Sequence, residues 1–396
     1  MKIGMIVNSL SITGGCQKLV LRLSNCLASS NEVTVFTSEF DNNRFYPEED
    51  KKFEIVSVDG PVAFFRNILG LIIPETLLKS YFISKKFDKE YDGLIIHDEN
   101  TLHTLNFIKK GNTKVTWMLN NQMSSILLKY PKNVQQYFSK IKNIKDFVYK
   151  IVFFTKFIAE YISLRQAINK VDTIAVYDKF NQKLINNNLR RNSEIVYAGA
   201  DLEDYQKIKK TKSKNKIYKI LSIGILFPHR RYEDIIEAVS ILKDEGVKTN
   251  LEIIGKKSFS PEYYKFLQES IIRKKLSKNI SLIDYLGKNE LLRKYSTADA
   301  FVFVNEGNTW GISVFEAISA RVPVIITTNI GAADIVKNGI HGWVVNPRSP
   351  SEIAKSFKEI IRNKKNTNEI SNTAFSKISV MLTWEAYAKR MVSTFK

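Results

Sequence analysis

Cysteine is nearly missing from this chain: Cys16 and Cys26 are the only two thiols in 396 residues. That excludes the disulfide framework of small secreted domains, and both thiols fall in an expected first loop and helix, where they read as small buried groups. No apolar run is long enough to span a bilayer. The opening residues 1–8 have too short an apolar part for a secretory signal and read as a first strand, so a cytoplasmic location is expected. No Arg-rich tract, aromatic RNA-binding signature or zinc-finger spacing occurs, which sets nucleic acid aside as a partner. Acid is short relative to base: 40 Asp and Glu face 60 Lys and Arg, a formal net charge of +20. Such a surface favours anions, whether nucleoside diphosphates or acidic lipid headgroups. The hydrophobic share of 44% and charged share of 25% are ordinary for a globular protein, and the length suits two or three domains.

What is present is a βα alternation, twice over. Residues 2–7 form an apolar run that stops at Asn8, followed by the loop Ser11-Ile12-Thr13-Gly14-Gly15. Leu19, Val20, Leu23 and Leu27 then recur at helical spacing, and 32–37 is the next strand. Further strands are expected at 91–98, which delivers His97 and Asp98 to a sheet edge, at 115–121, which ends on Asn120 and Asn121, at 172–176 and at 194–197. A polar, Lys-rich run at 206–216 reads as a linker. A second series follows, with strands at 217–224, 251–255, 280–283, 300–304, 324–327 and 342–345, and a terminal amphipathic helix at 384–395. The pattern is α/β with parallel sheets.

The most informative stretch is Asn305-Glu306-Gly307-Asn308-Thr309-Trp310-Gly311-Ile312-Ser313-Val314-Phe315-Glu316. An apolar strand ends at a polar, Gly-containing loop, and a helix is expected to open near 311–313 with Glu316 in its first turn. Ligands of parallel sheets bind outside the carboxyl ends of the strands, where helix N-termini present unpaired N–H groups and a positive dipole end. A plainer reading of Glu316 is a capping box with Ser313. The loop Gly224-Ile225-Leu226-Phe227-Pro228-His229-Arg230-Arg231 likewise follows a strand and precedes a helix. Cations at that helix start oppose the dipole, which points to an anion nearby, although a solvated helix start is the plainer reading.

The 305–326 segment resembles the nucleotide-sugar site of retaining family-4 glycosyltransferases, whose signature is two Glu residues separated by seven others, ahead of a Pro-Val-Ile strand. Here Glu316 matches the second Glu, Asn308 stands at the place of the first, and Glu306 lies two places upstream. Asn308 or Glu306 is then left to hold the donor hexose. The resemblance implies a GT-B fold: two Rossmann-like domains with parallel sheets facing a central cleft. The expected acceptor-binding domain is 1–205, completed by 381–396, and the nucleotide-sugar domain is 206–380. It implies transfer of a hexose from a UDP- or GDP-type sugar to a hydroxyl of a glycan or lipid-linked acceptor, with retention, no bound metal and no other cofactor; no Asp-x-Asp metal motif occurs in the site loops. Arg230 matches a family cation that neutralises the leaving diphosphate. Ile225 stands where a second is usual, so Arg231 is the candidate substitute. Thr309, Trp310, Gly311 and Ile312 would offer backbone amides to the phosphates, Glu316 would take the ribose hydroxyls, and Gly14 and Gly15 would lie beside the donor. His97 would face the donor sugar, with a buried structural histidine as the alternative. Asp98, Asn120 and Asn121 would line the acceptor site, and His103 reads as structural.

Two rival functions remain on sequence grounds: a nucleotide-sugar epimerase or hydrolase on the same fold, and a non-catalytic sugar-nucleotide or membrane-binding partner of another transferase. Phe138, Ile141, Ile144, Val148, Ile151, Phe154 and Ile158 form a stripe at helical spacing. Packing of that stripe into the domain core is expected. A basic amphipathic helix lying on an anionic membrane surface is the alternative, and 63–73 is a second apolar candidate for such contact.

Overall fold

The computed structural model describes residues 1–12, 15–69, 72–87, 89–119, 143–211, 217–306 and 309–396, with the backbone alone at 66–68. Gly14, Asn120, Asn121 and Asn308, and with them Phe138 and Ile141, lie outside the described residues. The chain divides into two units: Met1–Gly199 with Trp384–Lys396, and Ala200–Thr383.

The first unit holds a seven-stranded sheet in the order β3-β2-β1-β4-β5-β6-β7. Its strands are β1 (Lys2–Leu10), β2 (Glu32–Phe40), β3 (Glu54–Ser57), β4 (Gly93–Ile96), β5 (Lys114–Met118), β6 (Thr173–Val176) and β7 (Glu194–Ile195). All pairings are parallel, with Ile6 opposite both Phe36 and Ile96. Helices cover such a sheet on both faces, so its central strands carry unbroken apolar runs: Gly93-Leu94-Ile95-Ile96 is buried at every position. The Trp384–Ser393 helix belongs to this unit. Phe395 lies against Gly93 so closely that a Cβ there would stand 2.3 Å from its ring. The Thr394 hydroxyl meets that of Thr116 at 2.6 Å, and Arg390 donates to the Tyr197 carbonyl at 2.7 Å.

The second unit is a six-stranded parallel sheet, order β10-β9-β8-β11-β12-β13. Its strands are β8 (Tyr218–Ile223), β9 (Thr249–Ile254), β10 (Ile280–Ile283), β11 (Ala300–Phe303), β12 (Val324–Thr327) and β13 (Trp343–Val345). Chain order reverses between β8 and β11, and a sheet of this kind opens its ligand crevice at such a switch point. One apolar core, including Ile235, Val239, Leu251, Leu267, Val302 and Phe357, fills the space under the helices.

The described part of the stripe, Ile144 to Ile158, lies on the Ile144–Lys170 helix and is not core as expected: Ile144, Val148 and Ile151 are 82%, 53% and 40% exposed, and Phe154 and Ile158 are half-buried. Only the far end is core, with Leu164, Ala167 and Ile168 buried. At about 1.5 Å per residue the helix is roughly 40 Å long.

Candidate functional site

At the carboxyl end of β11, four buried residues give way to a loop that ends on Gly311. Gly311 caps the Ile312–Ser319 helix in a left-handed conformation (φ 81°), which a side chain would strain. The cap lies two residues before Ser313, so the Ser313–Glu316 capping box does not form, and Glu316 sits in the second turn rather than the first. Ser313 instead turns its hydroxyl toward the Ile223 carbonyl at 3.4 Å, at the end of β8. Ile312, the first helical residue, is half exposed. Trp310 packs on Phe315 with ring centroids 5.0 Å apart, and the Thr309 carbonyl accepts from Gly331 N–H at 2.8 Å.

The two adjacent arginines part company. Arg231 takes a left-handed backbone (φ 49°) at the start of the Tyr232–Asp244 helix, and its guanidinium is held by Glu233 and Asp234, each at 2.8 Å. Those bonds raise its pKa and engage each of its three guanidinium nitrogens. Arg230 has no such acid. Its guanidinium lies over the Phe303 ring, 4.8 Å from the centroid, and its buried Nε and Nη1 have no hydrogen-bond partner among the described residues. Burial pushes its pKa down, yet a guanidinium stays charged. Phe303 joins the two halves of the site: a Cβ on Gly311 would stand 3.7 Å from that same ring. The loops themselves are tied by Glu306 N–H donating to the His229 carbonyl at 2.7 Å. The Glu306 carboxylate pairs with Arg348, and its carbonyl accepts from Asn329 at 2.8 Å.

The Glu316 carboxylate receives a hydrogen bond from the Tyr295 hydroxyl at 2.9 Å. Phe303, Tyr295 and Tyr205 were not singled out by sequence; each is apolar at most positions of its body and carries no motif, so nothing in the local pattern marks it.

The expected residues of the first unit lie near the carboxyl ends of β1 and β4. Gly15 is the exposed first residue of the Gly15–Leu27 helix. His97 is fully buried, and its N–H extends the ladder to the Ile6 carbonyl at 2.9 Å. Asp98 caps the Glu99–Asn106 turn of helix, accepting from Thr101 N–H at 3.0 Å and from Asn8 N–H at 2.7 Å. Burial raises its pKa while those donors oppose the rise. Its carboxylate is thus anchored by backbone donors, one on each oxygen. His103 is buried with Nδ1 2.8 Å from Ser163 Oγ, a structural setting. Among the described residues no three His, Cys, Asp or Glu side chains converge as a metal-ligand set, and no helix is long and apolar enough to cross a membrane.

Residues 204–377 match the family model described as glycosyl transferases group 1. The capsular polysaccharide biosynthesis glycosyltransferase CapM of Staphylococcus aureus is 24% identical over 277 residues, 65% of this chain and 68% of CapM. A probable sucrose-phosphate synthase of Thermosipho melanesiensis is 23% identical over 273 residues, 64% of this chain and 60% of that protein. This chain therefore spans less than two thirds of that synthase. Among solved structures, Anabaena HepE in complex with UDP matches with a TM-score of 0.71 at 14% identity, covering 100% of this chain and 99% of that one. At that identity the likeness establishes the fold, which is GT-B with two Rossmann-like domains.

Proposed function

We propose that the chain transfers a hexose from a UDP- or GDP-type nucleotide sugar to an acceptor hydroxyl, with retention of anomeric configuration, and that the second unit binds the donor. The observation that carries this reading is the buried Arg230 guanidinium, whose Nε and Nη1 have no acceptor among the described residues, beside the Gly311-capped helix start. Burying a cation without acceptors is costly, and an incoming anion removes the cost. A diphosphate supplies that anion, and the helix N-terminus adds backbone donors and a positive dipole end.

The chemistry follows from charge. As the bond between the sugar C1 and the phosphate oxygen breaks, negative charge grows on the leaving diphosphate and the sugar becomes oxocarbenium-like. Arg230 and the helix amides stabilise the leaving group in place, which is where preorganised charge contributes most. The acceptor oxygen bonds to C1 on the face that the phosphate leaves, and its proton passes to a phosphate oxygen. No side-chain base is needed for that balance. Glu316 takes the ribose hydroxyls as a nucleotide-binding carboxylate does. The family-group match over 204–377 and the UDP complex of HepE support a nucleotide-sugar donor.

A lipid-linked acceptor, with the protein cytoplasmic and peripheral on an anionic membrane, is supported by the exposed Ile144, Val148 and Ile151 and by the net charge of +20. The deciding experiment incubates the protein with labelled nucleotide sugars, with and without membrane lipid extract, and follows nucleoside diphosphate release. Acceptor-dependent release is expected. Release or isomerisation without acceptor points to an epimerase or hydrolase, and binding without turnover points to a non-catalytic partner.

A further inference from the structure

We propose that Tyr295 and Tyr205 are positioning residues that fix the Glu316 carboxylate for the ribose hydroxyls of the donor, an inference that rests on the reading of Glu316 above. Tyr295 is fully buried in the Lys288–Thr297 helix, and its hydroxyl donates to Glu316 Oε2 at 2.9 Å. Tyr205 stands edge-on to it, with ring centroids 5.3 Å apart and planes at 89°, near enough for the Glu316 charge to raise its pKa. Burial, with the negative charge of Glu316 behind it, raises the pKa of both phenols, so both remain proton donors.

The segment carrying Tyr205 is itself fastened to the Tyr295 helix. Asp204 pairs with Lys288, Lys210 donates to the carbonyls of Tyr295 and Ala298, and Thr211 N–H donates to the Ser296 carbonyl at 3.0 Å. A hydroxyl bond from a buried phenol, with a second phenol packed against it, limits the rotation of a carboxylate. A packing role alone would need the rings and not the hydroxyls.

The test removes only the hydroxyls. Affinities for UDP, GDP and their 2′-deoxy forms are measured by calorimetry for the wild type, Tyr295→Phe, Tyr205→Phe, the double variant and Glu316→Gln. The wild type is expected to prefer the ribose forms by about tenfold, a factor worth about 1.4 kcal/mol. Each Tyr→Phe variant should shrink that preference, the double variant should abolish it, and binding of the deoxy forms should change little. Retained preference in both single variants and the double overturns the inference and leaves the role of Glu316 standing. Absence of preference in the wild type, or its persistence in Glu316→Gln, overturns the role of Glu316 and the inference with it. Should Tyr295→Phe fail to fold, Tyr205→Phe reads the same ratio, and an unchanged ratio there also overturns the joint role.

Discussion

A buried guanidinium and a buried imidazole show how differently two titratable groups are used here. Arg230 keeps charge where the described residues supply no acceptor for Nε or Nη1. Arg230→Ala is therefore expected to lower kcat by about 10²-fold, the scale seen when one preorganised donor to a developing anion is lost. Thermal stability should hold or rise, since an uncompensated buried cation is removed with it; steady-state kinetics and a melting curve check both. Arg231→Ala should do the reverse, loosening the Tyr232–Asp244 helix start, where Glu233 and Asp234 lose their partner, with little effect on turnover. His103 stays neutral because burial lowers its pKa to about 4. Its unfolded value is near 6.5, so between those values the unfolded chain binds a proton that the native chain does not. Stability contributed by this residue is thus full above about pH 6.5 and falls as pH drops toward about 4, by up to roughly 3 kcal/mol. His103→Asn should flatten that fall, as read by denaturant midpoints of the first unit between about pH 7 and 4.5.

Among the elements, strands were the most legible in the sequence and caps the least. Both series of buried parallel strands read as short apolar runs because neighbours cover both faces. The exception is β3, whose Glu54-Ile55-Val56-Ser57 is four residues at a sheet edge and never fully buried, so its pattern is no stronger than that of a loop. The Ile312–Ser319 helix opens within the expected 311–313 window, but the plainer capping-box reading of Ser313 and Glu316 fails because Gly311, at φ 81°, is the cap. Asp98 had a local signal that went unused: Asp98-x-x-Thr101 ahead of Leu102 is an N-cap pattern, and the structure uses it so. The sequence singles out Glu316 but not Tyr295, which bonds to it from 21 positions upstream, because side-chain pairing across elements leaves no periodic trace. The exposed half of the Ile144–Lys170 helix makes its own prediction. Burying a large aliphatic side chain is worth about 1.5–3 kcal/mol, so Ile144→Ser with Val148→Ser should weaken binding to phosphatidylglycerol vesicles by at least about tenfold. Sedimentation with anionic and neutral vesicles checks it; equal binding to both, or no loss in the double variant, would remove the membrane from the proposal.

Taken as a whole molecule, the chain was readable as two parallel α/β halves, since length and the doubled βα rhythm both require that. Which chain segments complete which half is set by tertiary contacts such as Phe395 on Gly93. Tyr387 and Met391 are fully buried in the first unit with it. Losing large buried side chains costs about 2–5 kcal/mol each, and several such losses approach the whole stability of a typical domain, about 5–15 kcal/mol. Deleting 384–396 should therefore abolish the cooperative unfolding of 1–199 while leaving 200–383 protected, as hydrogen exchange would show residue by residue.

That arrangement also sets an order of events during synthesis. The earliest sheet needs the latest helix, and the 200–383 segment is made between them. At about 5–20 residues per second the ribosome spends roughly ten to forty seconds on that interval. Through it the surface around Gly93 stays open to water and to chaperones, while the later half has every segment it needs to finish first.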